Sequence, residues 1–206
     1  MNRVAMSMLK QQSFSLALLG RAEGGRFILR QGARPGDLIY CSGTLGDSAL
    51  GLRLLREGVR DSYLVMRHLS PTPRLQLGRE LAQRELATAM IDISDGLAQD
   101  LSHLLGEGLG AEVYLERLPL SPAYREEAGR LSPDPYRWAV SGGEDYELLF
   151  TSPREREGEV RALSQELSLP LTPIGEIKEG GGMRLITPEG GIYPSPGGYD
   201  HLKEGG

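Results

Sequence analysis

Apolar residues along the chain fall into two kinds of run, and the kinds alternate. Short apolar stretches closed off by glycine or proline predict strands at residues 13–20 and 26–32, around the turn Glu23-Gly24-Gly25, and then at 36–43 (GDLIYCSG), 87–94 (ATAMIDIS), 111–120 and 146–153 (YELLFTSP). Between them lie helical patterns. In 47–58 Asp47 is placed to cap, and Leu50, Leu54 and Leu55 share a face. Residues 61–69 predict a further helix, ended by the extended turn that Pro71 and Pro73 impose. Residues 74–86 predict another, with Leu77 and Leu81 one turn apart, and 95–108 another, with Leu97, Leu101, Leu104 and Leu105 on one side. Helices are also expected over 121–131 and 154–168, and a hairpin over 172–191, built around Gly180 to Gly182. Alternating strands and helices define an α/β (α+β) fold, a mixed β-sheet flanked by helices. Residues 14–206 are expected to form one domain, with residues 1–13 a leader or a cut end.

Composition narrows the functional classes. A net charge of −5, with arginines interleaved among glutamates, argues against a nucleic-acid surface. One cysteine, Cys41, excludes an internal disulfide framework and a cysteine-based zinc site, and suits a reducing, cytoplasmic setting. No apolar run reaches the ~20 residues of a membrane helix. Lys10, Gln11 and Gln12 break the opening apolar stretch too early for a signal peptide.

Chemistry concentrates in residues 90–105, MIDISDGLAQDLSHLL. On a strand through Ile93, Asp92 and Ser94 point to one side, Ile91 and Ile93 to the other. A helix starting near Asp95 would present unpaired N–H groups, which favour phosphate oxygens. Two carboxylates three residues apart suit a hard divalent cation such as Mg²⁺, and Ser94 is able to donate to a phosphate. Alternatively, Ser94 or Asp95 simply caps the helix. Asp92 is the harder to explain structurally, since a carboxylate among buried apolar neighbours is unfavourable unless paired or metal-bound. Asp100 is expected on the surface.

In residues 138–150, WAVSGGEDYELLF, Gly142 and Gly143 permit close ligand approach, while Glu144 and Asp145 are either site acids or solvated turn residues. The glycines of 42–52 resemble a phosphate loop without its G-K-[ST] ending, and predict a turn and helix cap. Arg30 ends a strand and is able to meet a phosphate, and Tyr199 to stack on an aromatic ligand. His68, His103 and His201 lack the spacing of a metal site.

Together, RQGARPGDLIYCSGTLGDSALGL, RHLSPTPRLQLG, MIDISDGLAQDLSHLL, AVSGGEDYELLF, PIGEI and GGYDHL stand in the order found in thiamine-monophosphate kinases, within the aminoimidazole ribonucleotide synthetase-like superfamily. The resemblance runs from about Gly20 onward. It implies the C-terminal domain type of that superfamily and phosphoryl transfer from ATP to thiamine monophosphate, giving thiamine diphosphate. It also implies Mg²⁺ on Asp92 and Asp95, ATP contacts at Ser94 and Arg30, and substrate contacts at Glu144 and Tyr199. Family members carry an N-terminal half with further aspartate motifs, absent here, which completes the metal cluster and forms a homodimer. The chain is therefore expected to be inactive alone. Two other readings stay open: a relative acting on another small phosphate or carboxylate, or a non-catalytic module that docks a partner.

Overall fold

In the computed structural model, which describes residue 17 and residues 22–194, six strands form one mixed sheet among the described residues. In chain order the elements are β1 (Leu38–Ser42), α1 (Asp47–Arg56), α2 (Tyr63–Leu69), α3 (Leu75–Gln83), β2 (Ala89–Asp92), α4 (Leu97–Leu104), β3 (Leu109–Tyr114), α5 (Pro122–Leu131), α6 (Arg137–Ser141), β4 (Leu148–Ser152), α7 (Glu157–Leu167), β5 (Leu171–Glu179) and β6 (Gly182–Ile186). The strand order is β2-β4-β1-β5-β3-β6. All neighbouring strands are antiparallel except β3 and β6, so the expected α/β class with a mixed sheet is observed.

The central strand β1 shows why. Successive side chains point to opposite faces, and both faces are covered, so the strand reads as an unbroken apolar run. Ile39 and Cys41 enter one core, with Leu50 of α1, Val65 of α2, Leu101 of α4, Tyr124 of α5 and Val140 of α6. Leu38 and Tyr40 enter the other, against Leu77 and Leu81 of α3 and Val160 and Leu163 of α7. Tyr40 stacks on Phe150 of β4, ring centroids 5.2 Å apart. Each fully buried Leu or Ile contributes roughly 1.5–3 kcal/mol by leaving water.

Three sequence expectations change. Residues 26–32 form no strand: Phe27 and Leu29 are exposed, leaving the run without a buried face to fix it. The Leu29 carbonyl does accept the Met90 N–H along the edge of β2. Residues 172–191 are not a hairpin, because β3 lies between β5 and β6. Gly110 lets β3 enter there, since a Cβ on it would sit 2.8 Å from the carbonyl oxygens of both Gly180 and Gly182. Helix α6 was not foreseen, as a single turn shows no periodicity. The expected strand at 13–20 lies outside the described residues apart from residue 17, as does Tyr199.

Strand direction sets up the site. β2 and β1 end, and β4 begins, at one end of the sheet: Asp92 pairs with Leu148, and Cys41 with Leu149. The loops 43–46, 93–96 and 142–147 therefore meet there.

Candidate functional site

Asp92 closes β2 and is exposed, so its carboxylate is not held among buried apolar neighbours as its strand position suggested. Ile91 and Ile93 do face the core. Past Ile93 the chain turns through Ser94 and Asp95, both half-buried, to Gly96, whose φ of 116° strongly favours glycine. The N–H groups of Ser94, Asp95 and Gly96 all point at Oδ2 of Asp100, each at 3.0 Å. Asp100 is thus a buried residue, 2% exposed, and not the surface acid expected. Neither Ser94 nor Asp95 caps α4 through its side chain, and the helix begins at Leu97, two residues later than expected. Asp100, in its first turn, reaches back to the amides of the loop that leads into it. Burial pushes the Asp100 carboxyl up, while the same three amides pull it down.

The loop's carbonyls are engaged as well. The Ser94 oxygen accepts the Glu144 N–H at 2.8 Å, and the Ile93 oxygen accepts the Tyr146 N–H at 2.9 Å. The Ile93 N–H donates to the Glu147 carbonyl at 2.8 Å. This lacing needs Gly143, where a Cβ would lie 2.3 Å from the Ser94 oxygen. It also holds Glu144 and Tyr146 at left-handed φ values of 66° and 51°, uncommon for residues with a Cβ. Glu144 is exposed, and its carboxylate lies 3.5 Å from Nδ1 of His68, which is 3.0 Å from Ser48 Oγ.

Alternate residues of this segment turn inward. Asp145, read as either a site acid or a solvated turn residue, is neither: it is 2% exposed and accepts the Gly46 N–H at 2.6 Å and the Ser48 N–H at 3.1 Å. It therefore caps α1 from a distant part of the chain. Burial pushes its carboxyl up to about 7, outweighing those two amides. Asp47, expected as the cap, is instead the first helical residue, buried and accepting from Thr44, Ser121 and Tyr63. Glu147, also buried, accepts from Ser42 at 2.5 Å, from Arg67 at 2.8 Å, and from Nε and Nη2 of Arg74 at 2.7 and 2.6 Å.

The corner thus unites Asp92, Ser94, Asp95 and Glu144. Arg30 is exposed, in the irregular stretch beside β2, and Tyr199 lies outside the described residues. Sequence reasoning missed Asp100, Asp145, Glu147, Arg67 and Arg74. Residues 144–147 do alternate exposed and buried, which places Asp145 and Glu147 inside. Among the described residues no group of three or more His, Cys, Asp or Glu is placed to hold a metal ion. Asp92, exposed, and Asp95, half-buried, are carboxylates of the chemical type that magnesium takes together with phosphate oxygens and water. No helix among the described residues is long and apolar enough to cross a membrane.

Residues 34–187 match the family described as AIR synthase related protein, C-terminal domain, and the chain belongs to that family. Relatives to which the chain is similar include thiamine-monophosphate kinases. It is 40% identical over 198 residues to that of Salmonella typhimurium, covering 92% of this chain and 60% of the relative. The crystal structure of thiamine-monophosphate kinase from Stenotrophomonas maltophilia superposes with a TM-score of 0.73 at 39% identity, covering 82% of this chain and 55% of that one. A structure described as AaThiL complexed with AMPPCP and TMP gives 0.71 at 38%, covering 85% and 54%. The chain thus spans little more than half the length of the proteins it matches.

Proposed function

We propose that residues 14–206 act as the C-terminal part of a cytoplasmic thiamine-monophosphate kinase, which transfers the γ-phosphoryl group of ATP to thiamine monophosphate. The observation that carries this is the lacing of the 93–96 loop to the 144–146 segment, which makes the metal-type acids and Glu144 one unit. The resemblance to kinases by name, and to a structure holding AMPPCP and TMP, supports the same substrates here.

Asp92 and Asp95 hold magnesium in this reading, Ser94 and Arg30 meet the nucleotide, and Glu144, with Tyr199, meets the thiamine substrate. The bound ion supplies charge neutralisation between two anionic phosphates. The acceptor is a phosphate monoester with a second pKa near ~6, largely ionised at neutral pH, so the chain has little need of a general base. Its own task is positioning, and two carboxylates are too few to finish a site of that charge. The remaining donors and the homodimer contact belong to the part of the relatives' length that this chain does not span. A phosphotransfer assay on this chain, with and without that part of a relative supplied separately, tests the reading. Little or no thiamine diphosphate is expected from the chain alone, with formation restored in the pair. Robust formation by the chain alone overturns the claim that it is half a site, and none in a folded pair overturns the assignment.

A further inference from the structure

We propose that Asp100 is the positioning residue that holds the backbone from which the metal acids project. The proposal rests on the metal reading of Asp92 and Asp95 given above.

The turn that leads into α4 is held from within the helix. One oxygen of a buried aspartate takes the amides of Ser94, Asp95 and Gly96, all at 3.0 Å.

The same contact fixes the backbone. In a trans peptide the N–H and the preceding C=O point in opposite directions. The Ile93–Ser94 and Ser94–Asp95 peptide units each give their N–H to Asp100 and their carbonyl to an amide of the 144–146 segment. Asp100 and that segment thus grip opposite edges of the same two units. Removing the carboxylate frees one edge of the stretch that carries Asp95 and follows Asp92. Asp100 itself is 2% exposed and acts through the backbone it holds.

The test is titration of the ¹⁵N-labelled chain with substoichiometric Mn²⁺, read as paramagnetic broadening of backbone amide signals. In the wild type, broadening is expected to focus on residues 92–96, and D92N is expected to remove it. D100N is expected to weaken it at least tenfold while core signals stay in place, in line with the 10–100-fold losses seen when supporting partners of metal ligands are removed. D100E keeps the charge but moves it one methylene away from the amides, and is expected to fail like D100N. Focused broadening that D92N removes but D100N or D100E leaves unchanged overturns this inference alone. Absence of focused broadening in the wild type, both alone and paired with the supplied part of a relative, overturns the metal reading and this inference with it. Amide hydrogen exchange gives a readout free of metal: Ser94, Asp95 and Gly96 are expected to be protected, and unprotected amides in the folded wild type overturn the clamp.

Discussion

Replacing Asp145 by asparagine should change how stability depends on pH more distinctively than it changes stability itself. The carboxyl is buried and pushed up to about 7, burial being the largest cause and the Gly46 and Ser48 amides the main opposing ones. In the unfolded chain an aspartate titrates near ~3.9. The folded state therefore holds the proton more tightly. The stability this gives is fully present below the unfolded value, about pH 4, and is lost as pH rises through about 7. A gap of about three pH units at 1.36 kcal/mol each amounts to about 4 kcal/mol, with a slope near 1.4 kcal/mol per pH unit in mid-range. Asparagine keeps the volume and one acceptor oxygen, but turns an NH₂ group toward an amide donor, which destabilises by about 1–3 kcal/mol at every pH. Urea unfolding of the wild type and D145N at intervals from pH 4 to 8 separates the two effects, because the other groups cancel in the difference. That difference should fall by about 4 kcal/mol toward high pH. A difference that stays constant within ~0.5 kcal/mol would show that Asp145 is ionised throughout, its two amides outweighing burial.

Two further substitutions test the neighbouring contacts. Glu147→Gln should destabilise by about 3–5 kcal/mol in urea unfolding, because it leaves the Arg74 guanidinium, 18% exposed, without its buried counter-charge and Arg67, 12% exposed, with only Asp47 at 3.9 Å; a loss under ~1 kcal/mol would mean that the ion cluster is solvated. Glu144→Gln, assayed in the restored pair, should raise KM for thiamine monophosphate roughly tenfold, as expected for loss of one charge-assisted hydrogen bond, with KM for ATP unchanged. Equal changes in both KM values would contradict a role confined to the substrate.

The layers of this fold were readable because they depend on local rhythm. β1 reads as an apolar run since both its faces are buried, and α3 was announced by Leu77 and Leu81. What escaped depends on partners far apart in the chain. The glycines at 180–182 predict a tight hairpin, and nothing local says that β3, some seventy residues earlier, is inserted between its arms; its pairing register runs from Gly110 with Gly182 to Tyr114 with Ile186. In the site, the motif positions Asp92, Ser94, Asp95 and Glu144 were visible as acids and a hydroxyl beside glycines. Their supports were not, because Asp100 and Asp145 act on backbone amides, which every residue but proline carries and no sequence pattern marks.

The division of labour among the acids explains what holds this corner together. The loops that lead into α1 and α4 meet here, and each is tied by a buried acid: Asp145 accepts the Gly46 and Ser48 N–H groups, and Asp100 those of Ser94, Asp95 and Gly96. Glu147 holds two arginines, Arg67 and Arg74. The acids turned outward, Asp92 and Glu144, take no part in these ties through their carboxylates. The buried acids thus fix the backbone of the corner, and the exposed ones stay available to whatever it meets.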